Sequence, residues 1–228
     1  MTPSAETTTR RKKEARTTNP ESDDHSFAVD YISAMEHGVI IAVGSGKQGK
    51  SCSLHSLLAY CHPDRPKYLL DTLDFDVSVF PGYRLVSKTS DIPVGSAVVI
   101  EDVNRIFQSR GSSKRGDIQG WLSIISHKSI IIAITTQNLA DTDIAFLHSQ
   151  DAIVMNKWMH HEDLQFERPE FRFQQSAAND AIDLANAMNP DVDRRAWCYF
   201  PRFEEVVSIP KVDWWSYANS HMFRDVVV

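Results

Sequence analysis

Gly44-Ser45-Gly46-Lys47-Gln48-Gly49-Lys50-Ser51 satisfies the pattern G-x-x-x-x-G-K-[ST] at all four fixed places. Glycine at these places lets the backbone turn so that successive N–H groups face an anion. The start of a following helix adds its positive end. In such a P-loop Lys50 reaches the β- and γ-phosphates of a nucleotide and the Ser51 hydroxyl ligates magnesium. The flanks meet the structural requirement of the motif. Val39-Ile40-Ile41-Ala42-Val43 is a strand-like apolar run before it, and Ser51 to Tyr60, with leucines at 54, 57 and 58, reads as a helix after it. Residues Gly44 through Cys52 are therefore read as the segment that holds a nucleoside triphosphate, with ATP and Mg2+ as the default pair.

A metal held by a P-loop serine needs acidic company. Ala97-Val98-Val99-Ile100 runs into Glu101-Asp102, as the strand of a Walker B pattern would. There one acid holds magnesium and the other activates the attacking water. The usual order is Asp then Glu, and here it is Glu then Asp. Glu101 is favoured for the metal side and Asp102 for the base, because the first acid after the strand faces the P-loop; the converse stays open. A third apolar run, Ser129 to Thr135, ends in Thr136-Gln137-Asn138. A polar tip on a strand beside the P-loop strand could sense the γ-phosphate; Gln137 is the first choice and Asn138 the second. Asp71 and Asp74 are the residues that would bind an acceptor if the chain were a small kinase. Asn156-Lys157-Trp158-Met159 begins the base-reading element of a GTP switch but lacks its aspartate.

These residues need a scaffold. Short apolar runs at Lys67–Asp71, Tyr83–Val86, Ser96–Ile100, Ser129–Thr135 and Ala152–Asn156 alternate with helical stretches at Ser51–Tyr60 and Ile118–Ser126. Strands that are apolar throughout point to a parallel sheet buried on both faces. Gln175 to Met188 reads as a further helix. Trp197–Phe200 and Val206–Ile209 read as two short strands, followed by a last short helix after Asp213-Trp214-Trp215-Ser216. The expected class is α/β: a P-loop NTPase with a mostly parallel central sheet, helices on both faces and a small C-terminal strand and helix extension.

The chain of 228 residues suits one such domain, with residues 1–25 as a polar, disordered tail and 26–228 as the ATPase domain. The tail carries a basic cluster, Arg10-Arg11-Lys12-Lys13, and acids at Glu21, Asp23 and Asp24. Three cysteines at unrelated spacings make neither a zinc pattern nor a disulfide framework. No stretch approaches the ~20 apolar residues of a membrane helix. A net charge of −6 excludes a generally basic nucleic-acid coat, so any DNA contact must be local.

The order of motifs resembles the additional-strand ATPases, and within them the FtsK/HerA superfamily of DNA-translocating motors. "ISHKSIIIAITTQN" (Ile125 to Asn138) is similar to that group's sensor strand. "DAIVMNKW" followed by "FERPEFRF" is similar to the strand and Glu-Arg pair beyond it. "IPKVDWWSYANSHMF" (Ile209 to Phe223) is similar to a C-terminal segment of its small members. Those small members are the genome-packaging ATPases of icosahedral viruses with an internal membrane, to which Zot-like proteins of filamentous phages are related.

The resemblance implies that the P-loop NTPase fold is of the additional-strand type. It implies an ATP-hydrolysing translocase of double-stranded DNA working as a homo-oligomeric, commonly hexameric, ring. It implies a capsid vertex or membrane-associated portal protein as partner, and the host cytoplasm or the virion as location. Each site in such a ring takes an arginine from a neighbour; Arg168 is the first candidate, with Arg110 and Arg115 as alternatives. The basic, Gly- and Ser-rich stretch Arg105 to Arg115 would face DNA through Arg110, Lys114 and Arg115, with His127-Lys128 extending that surface. Adjacent on a helix, Trp214 and Trp215 would point about 100° apart. Packing in the core is the favoured reading of the pair, with one ring against a neighbouring subunit as the alternative.

Overall fold

The computed structural model describes residues 16–18, 26–71, 76–103, 115–140, 142–149, 151–216 and 219, with backbone only for 16–18 and 115–119. The strands are β1 (Arg16–Thr18), β2 (Gly38–Val43), β3 (Lys67–Leu70), β4 (Tyr83–Val86), β5 (Ala97–Ile100), β6 (Ile131–Thr136), β7 (Ala152–Asn156), β8 (Trp197–Phe200) and β9 (Glu205–Ser208). The helices are α1 (Phe27–Ser33), α2 (Lys50–Cys61), α3 (Arg115–Ile125), α4 (Ile144–Leu147), α5 (His161–Leu164) and α6 (Pro169–Met188).

All nine strands join one sheet in the order β1-β9-β8-β7-β2-β6-β5-β3-β4. From β7 to β4 every pairing is parallel. β8 runs antiparallel to both its neighbours, and β1 is parallel to β9. Every residue of β2, β5 and β6 is buried. Val39, Ile41 and Val43 enter one core with Val98, Ile132, Ile134 and the α3 residues Trp121 and Ile125. Ile40 and Ala42 enter the other with Val99, Ala133 and Leu54, Leu57 and Leu58 of α2. Period-2 alternation over strands apolar on both faces thus requires a helix layer on each side, and each fully buried Val, Leu or Ile contributes about 1.5–3 kcal/mol. The α/β class, the parallel sheet and the two helix layers are as expected.

The inserted strand is β6, which lies between the P-loop strand β2 and the acidic strand β5. Its register matters for the site. Ala42 pairs with Thr135, and Ile100 pairs with Ile134. The first residue past β5 is therefore level with Thr135, one step from the end of β2. Parallel strands carry their loops at one end, so Gly44, Glu101 and Thr135 meet on the same edge.

Two features differ from expectation. Residues 16–18, inside the segment expected to be tail, form the edge strand β1. Helix α1, unforeseen, starts at Ser26, whose Oγ accepts from the Val29 N–H at 3.2 Å and donates to Glu205 at 3.1 Å. β8 and β9 form the C-terminal extension, and Trp197 and Val206 pack against Ile182 and Ala185 of α6. The final helix expected beyond Ser216 lies outside the described residues, apart from Asn219.

Candidate nucleotide site

The chain leaves β2 through Gly44 at φ +150° and enters α2 through Gly49 at φ +80°. A Cβ on Gly44 would lie 2.8 Å from the Lys157 Cβ, and one on Gly49 would lie 2.8 Å from the Arg195 carbonyl oxygen. Both glycines are therefore demanded by the protein's own backbone, whatever anion the loop holds. Gly46, which the motif leaves variable, faces open space. The Lys50 ammonium donates to the Gly44 and Ser45 carbonyls at 2.7 and 2.9 Å, across the mouth of the loop. Burial drives its pKa down to about 8, against the opposing pull of Glu101, Asp102 and Asp163.

Ser45 ties the loop to α5: its Oγ donates to Asp163 and accepts from the His160 N–H at 2.7 Å. Gln48 lies 3.5 Å from the His160 ring.

Glu101 is where the elements converge. Its Oε2 accepts from Ser51 Oγ at 2.7 Å and from Thr135 Oγ1 at 2.7 Å, and its Oε1 faces His55 Nε2 at 3.0 Å. Only 6 % of Glu101 is exposed. Burial alone would raise its pKa, but the His55, Ser51 and Thr135 interactions together reverse the sign and hold it below the ordinary value. The bond to Ser51 brings Glu101 against the first turn of α2. Asp102 follows at φ +51°, exposed, with its N–H held by Thr135 Oγ1 at 2.8 Å. That turn carries the second acid out of the buried cluster to the exposed edge.

The other face of His55 is closed. Its Nδ1 meets the Tyr83 hydroxyl at 2.8 Å, so a neutral ring with its proton on Nε2 would donate to Glu101 and accept from Tyr83. Phe80, Tyr83, Trp214 and Trp215 surround it with ring centroids 5.0–5.9 Å away. Both tryptophans expected from the sequence thus pack inside this chain, Trp215 buried and Trp214 half-buried.

Gln137, the expected sensor, is exposed just past β6, and Asn138 is half-buried with its carbonyl accepting from Thr136 Oγ1 at 2.7 Å. The residue of this strand that touches Glu101 is Thr135, two places earlier. Farther out, the Glu167-Arg168 pair grips the loop that leaves β6. Glu167 accepts from the Leu139 N–H at 2.7 Å, and burial raises its pKa despite that bond. Arg168 Nη2 donates to the carbonyls of Ala140 and Thr142 at 3.3 and 3.1 Å. Arg105, Arg110, Lys114 and Asp74 lie outside the described residues, and so does the side chain of Arg115.

His55, Thr135, Asp163 and Lys157 are the residues that sequence reasoning missed. For His55 the available signal was polarity in the wrong place: Ser53, His55 and Ser56 interrupt a helix whose residues 53–58 are all buried. For Thr135 it was a pair of threonines closing an otherwise aliphatic strand.

Hydroxyl and carboxylate oxygens from Ser51 and Glu101 form a hard-oxygen donor set suited to Mg2+, which is ordinarily held by one or two carboxylates together with phosphates and water. Among the described residues no group of three or more His, Cys, Asp or Glu could hold a metal by itself, so a metal here would also need ligands from the nucleotide or water.

No family model matches the chain, and no curated protein matches it. Solved structures are similar to it at low identity. The genome-packaging NTPase B204 of Sulfolobus turreted icosahedral virus 2, in complex with AMPPCP, is 12% identical over 78% of this chain and 98% of its own, with a TM-score of 0.49. The N-terminal domain of zonular occludens toxin from Neisseria meningitidis is 18% identical over 54% and 78%, with a TM-score of 0.41. The cytoplasmic domain of EssC is 15% identical over 58% and 33%, with a TM-score of 0.37. A viral packaging NTPase and a Zot domain are the kinds of protein that the motif order resembles. Scores below 0.5 at such identities do not bear on function.

Two outcomes are expected. A triphosphate would pair with the ammonium form of Lys50, whose pKa burial lowers to about 8. Affinity for ATP should therefore fall as pH rises from 7 to 9.5, approaching about tenfold per pH unit above 8, while Lys50→Arg should flatten the profile; a flat profile in the unaltered protein would count against a phosphate role for Lys50. Removing the His55 ring leaves a buried carboxylate short of a donor. His55→Ala should lower stability by about 3 kcal/mol or more in urea unfolding, and His55→Gln, whose amide can donate to Glu101, should recover part of the loss.

Proposed function

We propose that this chain binds ATP with Mg2+ and hydrolyses it, and that hydrolysis drives double-stranded DNA through a ring of identical subunits. The observation that carries the reading is the 2.7 Å bond from Ser51 to Glu101, which joins the P-loop to the acidic strand across the inserted β6. A nucleotide-binding loop alone needs no such partner; a hydrolase does, because an acid must sit beside the metal and another must orient water.

In this reading the P-loop amides and Lys50 hold the phosphates, and Ser51 and Glu101 hold the metal. Asp102 takes the proton of the attacking water. Magnesium, when bound, neutralises charge on the β- and γ-phosphates. Gln137 is kept as the candidate that reads the γ-phosphate from the solvent side, with Thr135 behind it fixing Glu101. An arginine from a neighbouring copy completes the site by stabilising charge that develops on the transferred phosphoryl group. Arg168 is the first candidate, with Arg110 and Arg115 next. Its bonds to the Ala140 and Thr142 carbonyls would couple such a finger to the exit of β6 in its own subunit.

The overall charge of −6 confines DNA contact to a local surface, for which Arg110, Lys114 and Arg115 are proposed. Packaging of a viral genome, with a portal or vertex protein as partner and the host cytoplasm or virion as the place of work, is the particular form of the motor that the motif order favours. Among the described residues no helix is long and apolar enough to cross a membrane, which is compatible with that form.

The test is ATPase activity with and without double-stranded DNA, run beside size-exclusion chromatography. The expected result is an oligomer whose turnover DNA raises, with Arg110→Ala, Lys114→Ala and Arg115→Ala together abolishing the stimulation while ATP still binds. A monomer whose ATPase ignores DNA would overturn the motor reading and leave the hydrolase.

A further inference from the structure

A second ammonium group lies behind the P-loop. Lys157, the residue after β7, is 1 % exposed. Its N–H donates to the Val43 carbonyl at 2.7 Å, which extends the sheet one residue past β7, and its own carbonyl accepts from Gln175 Nε2 at 2.8 Å. With the backbone fixed on both sides, the side chain runs beneath Gly44, where only a glycine fits.

The Nζ donates to the Arg195 carbonyl at 2.6 Å, to Ser53 Oγ at 2.9 Å and to Cys198 Sγ at 3.3 Å. All three acceptors are uncharged. Among the described residues no ion pair joins a carboxylate to it; Asp193, whose pKa its charge helps to lower, is itself bound by the Arg195 guanidinium. A buried ammonium answered only by dipoles is costly, and fully buried lysines are ordinarily paired.

Its acceptors explain its place. Ser53 is on the first turn of α2, beside Lys50 and Ser51. The Arg195 carbonyl is the atom that stands over Gly49. One ammonium therefore sits under the first glycine of the loop and fixes the turn over the last. It also acts at a distance: after burial, and beside the opposing acids, repulsion by Lys157 is among the causes that lower the pKa of Lys50. Two cations thus bracket the loop, one in its mouth and one beneath it, and an anion in the loop would be attracted by both. Protein, not water, separates Lys157 from that anion, so salt screens it weakly.

We infer that Lys157 is a positioning residue that supplies, from behind the P-loop, part of the positive field holding a triphosphate. This rests on the nucleotide reading above and adds to it a charge that touches no ligand. The field acts on every uncompensated phosphate charge, so ATP without magnesium, with roughly twice the negative charge of AMP, gains more from it than AMP does.

The experiment measures calorimetric affinity for ATP and for AMP, both with magnesium chelated, in the intact chain and in Lys157→Met, which keeps the approximate length of the side chain and removes its charge. The expected result is a loss of about tenfold for magnesium-free ATP and about threefold or less for AMP. Equal losses for the two ligands would make Lys157 a packing residue only and overturn the inference. Should Lys157→Met fail to fold, Cys198→Asp answers the same question from the other side, by placing a carboxylate against the ammonium. It is expected to weaken magnesium-free ATP relative to AMP; an unchanged ratio overturns the inference. Absence of binding of either nucleotide to the unaltered chain would instead overturn the nucleotide reading itself.

Discussion

The Glu101 carboxylate accepts from Ser51 at the start of α2 and Thr135 at the end of β6, and faces His55 a turn further along α2. These bonds let an ionised acid persist in a buried position, since a carboxylate taken out of water is tolerable only when its oxygens are met by donors. The rest of the sheet edge follows from them. The register of β5 against β6 must bring Glu101 level with Thr135, β6 must lie beside β2, and α2 must leave the P-loop in the direction that carries Ser51 and His55 past the same carboxylate. A slip of one residue in any of these strands would turn every buried side chain to the opposite face and dismantle the junction.

Much of this was legible beforehand. Strands β2 to β9 were each anticipated within a residue or two, because a parallel sheet buried on both faces writes itself as unbroken runs of Val, Ile and Ala, as at Val39–Val43 and Ala97–Ile100. The P-loop and the acidic pair were equally plain, since their chemistry fixes both residue type and spacing. Helix α1 and strand β1 were not legible. Residues 16–18 have nothing apolar to mark a strand and are ordered by pairing with β9, a partner far away in the chain. His55 was hidden because a buried histidine inside a leucine-bearing helix declares nothing until Glu101 and Tyr83 are seen on either side of it. Lys157 was hidden for the same reason: a lysine after a strand reads as solvent-facing until the strand beside it proves to be followed by a glycine.

The two acids divide by geometry more than by type. Glu101 continues the strand into the buried cluster, whereas Asp102 adopts a left-handed backbone that an aspartate tolerates better than most residues. The inverted order, Glu before Asp, then has a physical sense: the longer side chain spans from β5 to Ser51 and His55, and the shorter one stands on the exposed turn beside them.

His55 is enclosed partly by Trp214 and Trp215, and the Ser56 hydroxyl of the same helix accepts from the Val212 N–H at 3.1 Å. The wall that keeps Glu101 in its setting is thus assembled from residues separated by more than half of the chain. During synthesis the P-loop, α2 and β5 emerge long before that wall exists. A growing chain can build the sheet edge and still leave His55 open to water until residues 212–215 have been made, so Glu101 acquires its enclosed setting only after β9 and the segment that follows it have been synthesised.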